Sequence, residues 1–317
     1  MKTSTIIVLL LATCFCLGAD TVDSADWRDR LFVPTYLVKL NGRYFIVDCW
    51  QHRVIYNDQL TTDLSKWETL DDTLGGPHSI DSDGEYLIAE NTGYSGVRLY
   101  KPTDDGEYEM VDEVSGLGKR THRTRYDPDT GCWYVISANT QDITKLKRDG
   151  DKLHVVYTKN LKFLGGKYTR SMTIMDGFMY FMSGPGVITK TRYKDGSFEV
   201  LATYKTPDDM KATNDILRTD EGWYYLDSTP GRMVRFRSFE DLDTGKYENV
   251  YGALGLKGSP YYMRKIDGRY YVPQIYPYCG IISFVHDKDG NITDVQKLFD
   301  FGKPSEQSRK RVTEFKR

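Results

Sequence analysis

Two histidines in similar local surroundings are the side chains best suited to chemistry. His78 follows a proline and His122 follows a threonine, and each stands just ahead of a turn and an aromatic-aliphatic run. Imidazole can accept or donate a proton near neutral pH. We therefore expect His78 and His122 to shuttle protons in general acid-base catalysis.

Charged residues at related positions would assist the two imidazoles. Arg170 is expected to hold an anionic group or a carbonyl oxygen, because a fixed cation stabilises developing negative charge. Glu90 or Asp227 would orient an imidazole or bind a cation. The predicted catalytic set is therefore His78, His122, Arg170, Glu90 and Asp227.

Amide and aromatic side chains extend the predicted site. The residues expected to contact a ligand are Asn91, Asn139, Asn214, Trp50, Tyr94 and Tyr276. The three aromatic residues lie in loops, where flat rings could form a stacking surface for a sugar or a flat organic molecule. The alternative is that the polar groups bind only channel waters and that the rings only pack the loops.

A sixfold internal repeat explains how such distant residues could meet. Six turn glycines follow one another at intervals of 42, 47, 46, 45 and 46 residues, and they are Gly42, Gly84, Gly131, Gly177, Gly222 and Gly268. Each follows Asn, Asp, Thr or Glu and precedes a run with strong strand propensity, which is the pattern of a tight hairpin. Two further strand-like runs complete most copies, so each copy predicts four consecutive antiparallel strands.

Six such units predict an all-β fold, a six-bladed β-propeller, because one four-stranded unit cannot bury both faces of its sheet alone. A tandem of immunoglobulin-like domains is the alternative, but it would need seven or more strands in each domain. In a propeller, the starts of the inner strands and the ends of the second strands surround one channel mouth. Those positions hold Tyr36, His78, His122, Arg170, Asn214 and Tyr261 at the starts, and Asp48, Glu90, Asn91, Ser137, Asn139, Ser183, Asp227 and Gln274 at the ends.

Two stretches carry a family resemblance. Residues 77–100, with the pattern P-H-S-I-x-x-D-G-x-Y-L-I-A-E-N, and residues 43–56, RYFIVDCWQHRVIY, resemble the repeats of six-bladed NHL-type propellers. That grouping includes lactonase-like, strictosidine-synthase-like and peptide-amidating-lyase propellers. The resemblance implies the fold and leaves the reaction open.

The same resemblance raises the question of a metal. The amidating-lyase type places zinc on histidines at the inner-strand starts, where only His78 and His122 match. The lactonase type holds calcium with Glu, Asn and Asp, and only Asn214 matches that pattern. The resemblance thus leaves three possibilities for the cofactor, which are zinc, calcium or none.

The chain ends predict export and a simple domain plan. A lysine at position 2, an apolar run over residues 6–17 and small residues after it indicate a signal peptide over residues 1–19 and a secreted protein. The propeller is predicted over residues 20–301, followed by a flexible, polar and basic tail over residues 302–317. A net charge of −2 gives no general attraction to nucleic acid, and no later segment predicts a membrane span.

Cysteines and a sequon suggest covalent features of a secreted protein. Cys49 and Cys279 lie in matching places of the first and last predicted blades, where a disulfide would close the ring, leaving Cys132 unpaired. Asn291 begins an Asn-Ile-Thr sequon after a turn-forming stretch, so it could carry a glycan.

Two functional hypotheses follow from these patterns. No G-x-S-x-G, H-E-x-x-H or phosphate-binding glycine loop occurs. The sequence favours a secreted propeller enzyme of the lyase or hydrolase type that acts on a small polar or aromatic molecule at the channel mouth. The alternative is a non-catalytic extracellular propeller that binds a glycan or a protein.

Overall fold

A computed structural model describes residues 27–184 and 186–314, and the predicted signal peptide lies outside them. Six antiparallel sheets follow one another along the chain, and each is formed by consecutive strands. This confirms the predicted six-bladed propeller with four strands in each blade. The helices among the described residues are too short and too polar to cross a lipid bilayer.

The blades divide the chain in order. Blade 1 contains β1 (Pro34–Leu40), β2 (Arg43–Asp48), β3 (Arg53–Asn57) and β4 (Glu68–Asp71). Blade 2 contains β5 (Ile80–Ser82), β6 (Leu87–Asn91), β7 (Gly96–Pro102) and β8 (Tyr108–Val114). Blade 3 contains β9 (Thr121–Asp127), β10 (Cys132–Ser137), β11 (Asp142–Asp149) and β12 (Lys152–Asn160).

The second half continues the pattern. Blade 4 contains β13 (Thr169–Met175), β14 (Phe178–Ser183), β15 (Val187–Arg192) and β16 (Glu199–Lys205). Blade 5 contains β17 (Ala212–Arg218), β18 (Tyr224–Thr229), β19 (Arg232–Phe236) and β20 (Glu248–Asn249). Blade 6 contains β21 (Ser259–Pro260), β22 (Arg264–Ile266), β23 (Arg269–Ile275), β24 (Cys279–His286) and β25 (Ile292–Gly302).

Short helices join or follow these strands. The α-helices are α1 (Phe239–Asp243) and α2 (Glu306–Glu314), and the 3-10 helices are Trp27–Asp29, Cys49–Gln51, Leu64–Lys66, Thr92–Tyr94 and Lys162–Leu164. The six turn glycines all have positive φ, from 63° at Gly131 to 100° at Gly84, which confirms their place at the tips of the hairpins.

Apolar side chains between neighbouring blades hold the ring together. The second strands are buried along most of their length, because each is covered by the blades on both sides; β6 is buried throughout. Blades 1 and 6 meet in one cluster that includes Leu37, Ile46, Ile281 and Phe299. Burying a side chain of this size contributes roughly 1.5–3 kcal/mol. The ring is therefore closed by side-chain packing of the first blade against the last.

The inner strand of blade 6 is interrupted. β21 and β22 both pair with β23, and residues 261–263 separate them. Tyr262 lies in this break with φ 27° and is fully buried. The interruption directs its side chain into the channel, where it contacts residues of two other blades.

The C-terminal residues correct one expectation. The predicted flexible tail includes helix α2, which packs beside the 3-10 helix Cys49–Gln51. Arg311 donates from Nε to the carbonyl of Gln51 at 3.0 Å and from Nη2 to that of Asp72 at 2.9 Å. Its guanidinium also lies 3.9 Å from the ring centre of Trp27. Strong helix formers and these anchoring contacts outweigh the polar composition from which a tail was predicted.

The cysteines correct another expectation. Cys49, Cys132 and Cys279 are buried free thiols in the described part of the chain. Cys49 and Cys279 share an apolar cluster with Phe32 and Val33, but the Cys49 sulfur contacts the ring of His78 and is not bonded to Cys279. The predicted Cys49–Cys279 disulfide is therefore absent from this structure.

The sequon lies where a glycan would have room. Asn291 is exposed in the turn between β24 and β25, and its Nδ2 donates to Asp287 at 2.9 Å. Its glycosylation stays a prediction.

Candidate functional site

A cavity of about 240 Å³ opens at the end of the channel where the inner strands begin. We call it the upper cavity. Its lining includes His78, His122, Arg120, Arg170, Tyr261, Trp50, Tyr276 and Cys49. Three of the five predicted catalytic residues, His78, His122 and Arg170, therefore do meet there, as the propeller alignment predicted.

The two imidazoles are stacked. The ring centres of His78 and His122 are 3.9 Å apart, and the ring planes differ by 33°. Both side chains are buried. Burial lowers the pKa of each well below the ordinary histidine value, and the nearby Arg120 and Arg170 lower both further. Both rings are consequently neutral at neutral pH.

Contacts with Tyr262 define the tautomer of His122. The Tyr262 hydroxyl lies 3.1 Å from the carbonyl oxygen of His122 and 2.9 Å from that of Arg170. It also lies 3.1 Å from His122 Nδ1. Because carbonyl oxygens only accept, the single hydroxyl proton of Tyr262 is directed to them, and the hydroxyl oxygen accepts from Nδ1–H. Nε2 of His122 is then the basic nitrogen, and it has no hydrogen-bond partner in the described residues.

His78 is held by a hydroxyl and a thiol. Its Nδ1 lies 3.2 Å from Thr92 Oγ1, and its Nε2 lies 3.8 Å from the sulfur of Cys49. Burial raises the pKa of the Cys49 thiol, so the sulfur stays protonated. Both nitrogens of His78 thus have neighbours, whereas only one nitrogen of His122 does.

Two arginines supply positive charge at the cavity. Arg120 donates from Nε to the Tyr168 hydroxyl at 2.7 Å, and the guanidinium of Arg170 lies 4.9 Å from the centre of the same ring. Neither arginine forms an ion pair with a carboxylate of the described residues. Their charge is therefore available to a ligand, and a guanidinium matches a carboxylate or phosphate with paired hydrogen bonds.

The structure places two predicted catalytic carboxylates elsewhere. Glu90 accepts from the backbone N–H of His78 at 3.3 Å and from the backbone N–H and hydroxyl of Ser79. Asp227 accepts from the backbone N–H of Asp215 at 2.7 Å. Burial raises the pKa of both carboxyls. In the described residues neither contacts an imidazole nitrogen, because each side chain turns toward the adjacent inner strand.

This carboxylate position recurs for a structural reason. Asp48, which ends β2, accepts from the backbone N–H groups of Phe32 and Val33 at 3.0 and 2.9 Å. Gln274 does the same for Lys257 and Gly258 in blade 6. The residues at the ends of the second strands therefore satisfy N–H groups that the inner strands leave unpaired.

The three predicted asparagines do not line the upper cavity. Asn91 accepts from the Gly75 N–H at 2.8 Å and donates to Glu113 at 2.9 Å. Asn214 donates to the carbonyl of Pro260 at 2.9 Å, which ties blade 5 to blade 6. Asn139 is exposed outside the cavity. The prediction that they contact a ligand finds no support in their positions.

The predicted aromatic residues divide into two groups. Trp50 and Tyr276 line the upper cavity and are 39% and 55% exposed, so their rings are accessible to a ligand. Tyr94 is 50% exposed but packs beside Gly75, outside the lining of that cavity. Two of the three rings thus fit a stacking role.

Below the cavity, a buried polar cluster fills the channel. Arg123 lies 3.1 Å from Asp215, and its guanidinium lies 3.8 Å from the ring centre of Tyr262 and 4.7 Å from that of Tyr36. We call Tyr36, Arg123, Asp215 and Tyr262 the channel plug. All four are almost fully buried. Tyr36, predicted at the mouth, lies instead within this plug.

Sequence reasoning missed Arg120, Tyr168 and Tyr262. Arg120 stands two residues before His122, and Tyr168 stands two residues before Arg170. This equal spacing in consecutive repeats was a usable signal for the first two. Tyr262 had none, because its position depends on the interruption of an inner strand.

The donor set does not fit a metal. In the described residues, no three His, Cys, Asp or Glu side chains come close enough together to hold an ion. The His78 nitrogens face Thr92 and Cys49, and Glu90 is engaged by backbone N–H groups. Zinc needs three or four such ligands around one point.

Comparison with known proteins gives relatives in structure alone. No protein-family model matches the chain, and no curated protein matches it. A protein from Lactobacillus plantarum has a similar structure, with a TM-score of 0.61, 15% identity and coverage of 85% of this chain and 86% of its own.

Two further solved structures are named as lactonases. One is a putative 6-phosphogluconolactonase from Bacteroides fragilis, with a TM-score of 0.58, 16% identity and coverage of 83% and 84%. The other is a periplasmic gluconolactonase from Pseudomonas aeruginosa, with a TM-score of 0.58, 14% identity and coverage of 86% and 87%. At these identities, the likeness establishes the fold alone.

Proposed function

We propose that this chain is a hydrolase that opens the ring of a small lactone bearing an anionic group, in the upper cavity. The observation that carries the proposal is that His122 Nε2 has no hydrogen-bond partner among the described residues and lies beside two arginines that pair with no carboxylate of those residues. A buried nitrogen without a partner costs free energy, and a water or substrate in the cavity would supply one. The lactonase names of two structural neighbours agree in reaction type.

The proposed reaction uses His122 as a general base. Water attacks the lactone carbonyl carbon while Nε2 takes its proton. The oxyanion that forms is stabilised by Arg170 or Arg120. As the ring C–O bond breaks, the leaving alkoxide takes the proton from Nε2, which regenerates neutral His122 and releases a hydroxy acid. His78 stacks on the ring and keeps it from turning.

Arg120 and Arg170 suggest the substrate class. Two guanidinium groups at one mouth favour a substrate that carries a phosphate or a carboxylate away from the reacting ester. Trp50 and Tyr276 would stack on the sugar-like ring of that substrate.

The test is a matched pair of lactones. Proton release is followed by pH-stat titration with glucono-δ-lactone and its 6-phosphate, against the spontaneous rate. We expect a higher kcat/KM for the phosphate ester, and Arg170→Gln should remove most of that preference. Hydrolysis of both lactones at the spontaneous rate would contradict the proposal.

A second candidate function rests on the exposed Trp50 and Tyr276. Such rings also serve non-catalytic glycan binding. If no lactone is turned over while Trp50→Ala and Tyr276→Ala abolish retention on immobilised glycans, this binding function is the correct one.

We also infer that the protein is exported. The inference rests on the apolar run over residues 6–17 and the small residues after it. N-terminal sequencing of protein from the extracellular or periplasmic fraction should give a mature chain that starts near residue 20. A cytoplasmic protein that keeps residue 2 would contradict it.

A further inference from the structure

A second cavity, larger than the first, lies at the opposite end of the channel. Its volume is about 440 Å³, and we call it the lower chamber. The far ends of β5, β9, β13 and β17 surround it together with the start of β22. The channel plug lies between the two cavities, so the proposed hydrolysis does not use the lower chamber.

Arg264 enters the lower chamber from β22 with one part of its donor fork unused. Its Nε donates to the Tyr36 hydroxyl at 2.7 Å, and its Nη1 lies 3.0 Å from Asp215. Its Nη2 is buried without a partner in the described residues. The residue is 8% exposed, so water does little to satisfy that nitrogen.

Arg125 lies nearby on β9 and is also incompletely paired. Its Nη1 donates to the Tyr36 hydroxyl at 3.2 Å, but its nearest carboxylate, Asp81, is 3.8 Å away. Asp81 is engaged instead by the backbone N–H of Tyr126 at 2.8 Å. The guanidinium is 17% exposed and faces the chamber.

The carboxylates near the chamber do not occupy all the N–H donors of its arginines. Asp215 is shared between Arg123 and Arg264, at 3.1 and 3.0 Å. Asp227 and Glu90 also interact with Arg123, so the carboxyl groups near the channel are not outnumbered by the guanidinium groups. Arg218 on the rim adds no free charge, because it pairs with Asp176 at 2.8 Å. The buried Nη2 of Arg264 is still left without an acceptor in the described residues, and an unmet donor of this kind is costly unless a ligand satisfies it.

We propose that the lower chamber is a second, separate binding site for a small organic anion, either a carboxylate or a phosphate monoester. Arg125 and Arg264 would hold the anionic group through their unused N–H donors. Ile174 and Leu217 line the same chamber and would contact the hydrocarbon part of the ligand. The volume lies within the ordinary range for small-molecule sites.

The experiment titrates the protein with inorganic phosphate and, separately, with glutarate by isothermal calorimetry. The double variant Arg120→Gln/Arg170→Gln removes anion binding at the upper cavity, and Arg125→Gln removes it at the lower chamber. Arg218→Gln is the matched control on the chamber rim. We expect one anion site to remain in Arg120→Gln/Arg170→Gln, and at least a tenfold weaker affinity when Arg125→Gln is added. The better of the two probes identifies the anion class.

Three results would overturn the proposal. One is the loss of all anion binding in Arg120→Gln/Arg170→Gln. Another is an unchanged affinity after Arg125→Gln. If Arg125→Gln does not fold, wild-type crystals soaked in selenate provide the decision, because an anomalous peak between Arg125 and Arg264 supports the site and its absence refutes it. Failure of the lactone assay would leave this site unaffected, so the two proposals fail separately.

Discussion

Both ends of the channel contain arginines, but the residues around these arginines differ. At the upper cavity, Arg120 and Arg170 contact an aromatic ring and no carboxylate of the described residues, and they stand beside two neutral imidazoles. At the lower chamber, Arg264 pairs with Asp215, and no histidine is present in the described lining. The upper end therefore combines charge with a base and suits turnover. The lower end has charge without a base and suits binding.

The largest expected difference between the ends comes from removing the base. His122→Gln should lower kcat/KM for the phosphorylated lactone by about 10²- to 10⁴-fold, because glutamine cannot accept the proton. Anion affinity at the lower chamber should not change. The measurements are pH-stat kinetics and calorimetry on the same preparation.

His154→Gln is the matched control for that variant, since His154 is exposed on the outer strand β12. Equal rates in the two variants would mean that His122 is not the base.

Removing Asp215 should destabilise the channel plug, which separates the two ends. Asp215→Asn leaves the buried Arg123 without its counterion and also takes one from Arg264. Breaking a buried pair in this way costs about 3–5 kcal/mol in the free energy of unfolding. Denaturant unfolding measures it. Asp176→Asn removes the exposed partner of Arg218 and should cost less than about 1 kcal/mol. Similar losses in both variants would contradict the structural role of the plug.

Tyr262→Phe should act on both stability and catalysis. It deletes the hydroxyl that contacts the carbonyl of Arg170 and accepts from His122 Nδ1, at a cost of about 1–3 kcal/mol. Because the tautomer of His122 is then no longer fixed, kcat should fall more than KM rises. Tyr44→Phe is the control, because Tyr44 is partly buried and its hydroxyl donates to Asp267 at the surface. An unchanged kcat in Tyr262→Phe would show that the phenol does not position the base.

The stacked imidazoles should make the protein sensitive to acid. Their folded-state pKa values lie below the unfolded value, so the unfolded state binds more protons as the pH falls. The free energy of unfolding is therefore highest above about pH 6.5. It decreases below that pH by up to about 1.4 kcal/mol per pH unit for each ring. Chemical unfolding between pH 7 and pH 5 should show a smaller slope in the double variant His78→Gln/His122→Gln. The same slope in both proteins would contradict the neutral assignment.

The smallest expected effect sharpens the comparison from the lower end. Burial raises the pKa of Asp81 to about 6. Above that pH its carboxylate repels an anion, so phosphate affinity in Arg120→Gln/Arg170→Gln should rise several-fold as the pH falls through 6. Asp81→Asn should remove this dependence. The titration is repeated at each pH with glutarate, whose own ionisation differs from that of phosphate. The charged groups around Asp81 are Arg123, Arg125, Arg218, Arg264 and Asp215.

The fold could be predicted from the sequence because the residues that recur in each repeat determine local conformation. Glycines at hairpin tips and aromatic-aliphatic runs recur in all six blades, and alignment of the copies placed His78, His122 and Arg170 at one mouth. It could not separate side chains that face the cavity from those that turn to the backbone. In the sequence, Glu90 and Asp227 look like acidic residues exposed near the end of a strand. Their side chains turn inward because each accepts from backbone N–H groups that have no partner in the sheet.

The other misses have the same origin in tertiary structure. A thiol at Cys49 has a compatible neighbour in His78 as well as in Cys279, and sequence spacing does not distinguish the two. The repeat predicts an uninterrupted inner strand in blade 6, and Tyr262 would then be one of its strand residues. Helix α2 was not predicted because its contacts with Gln51 and Trp27 join residues far apart in the sequence.

The broken strand of blade 6 has a consequence for the orientation of a ligand about the propeller axis. A ring of six equivalent blades would present nearly the same surface to a ligand in each of six rotations about the axis. One phenol that crosses to blades 3 and 4 removes that equivalence. A ligand in the upper cavity therefore meets a floor that differs from blade to blade, and turning the ligand about the axis does not restore the same contacts.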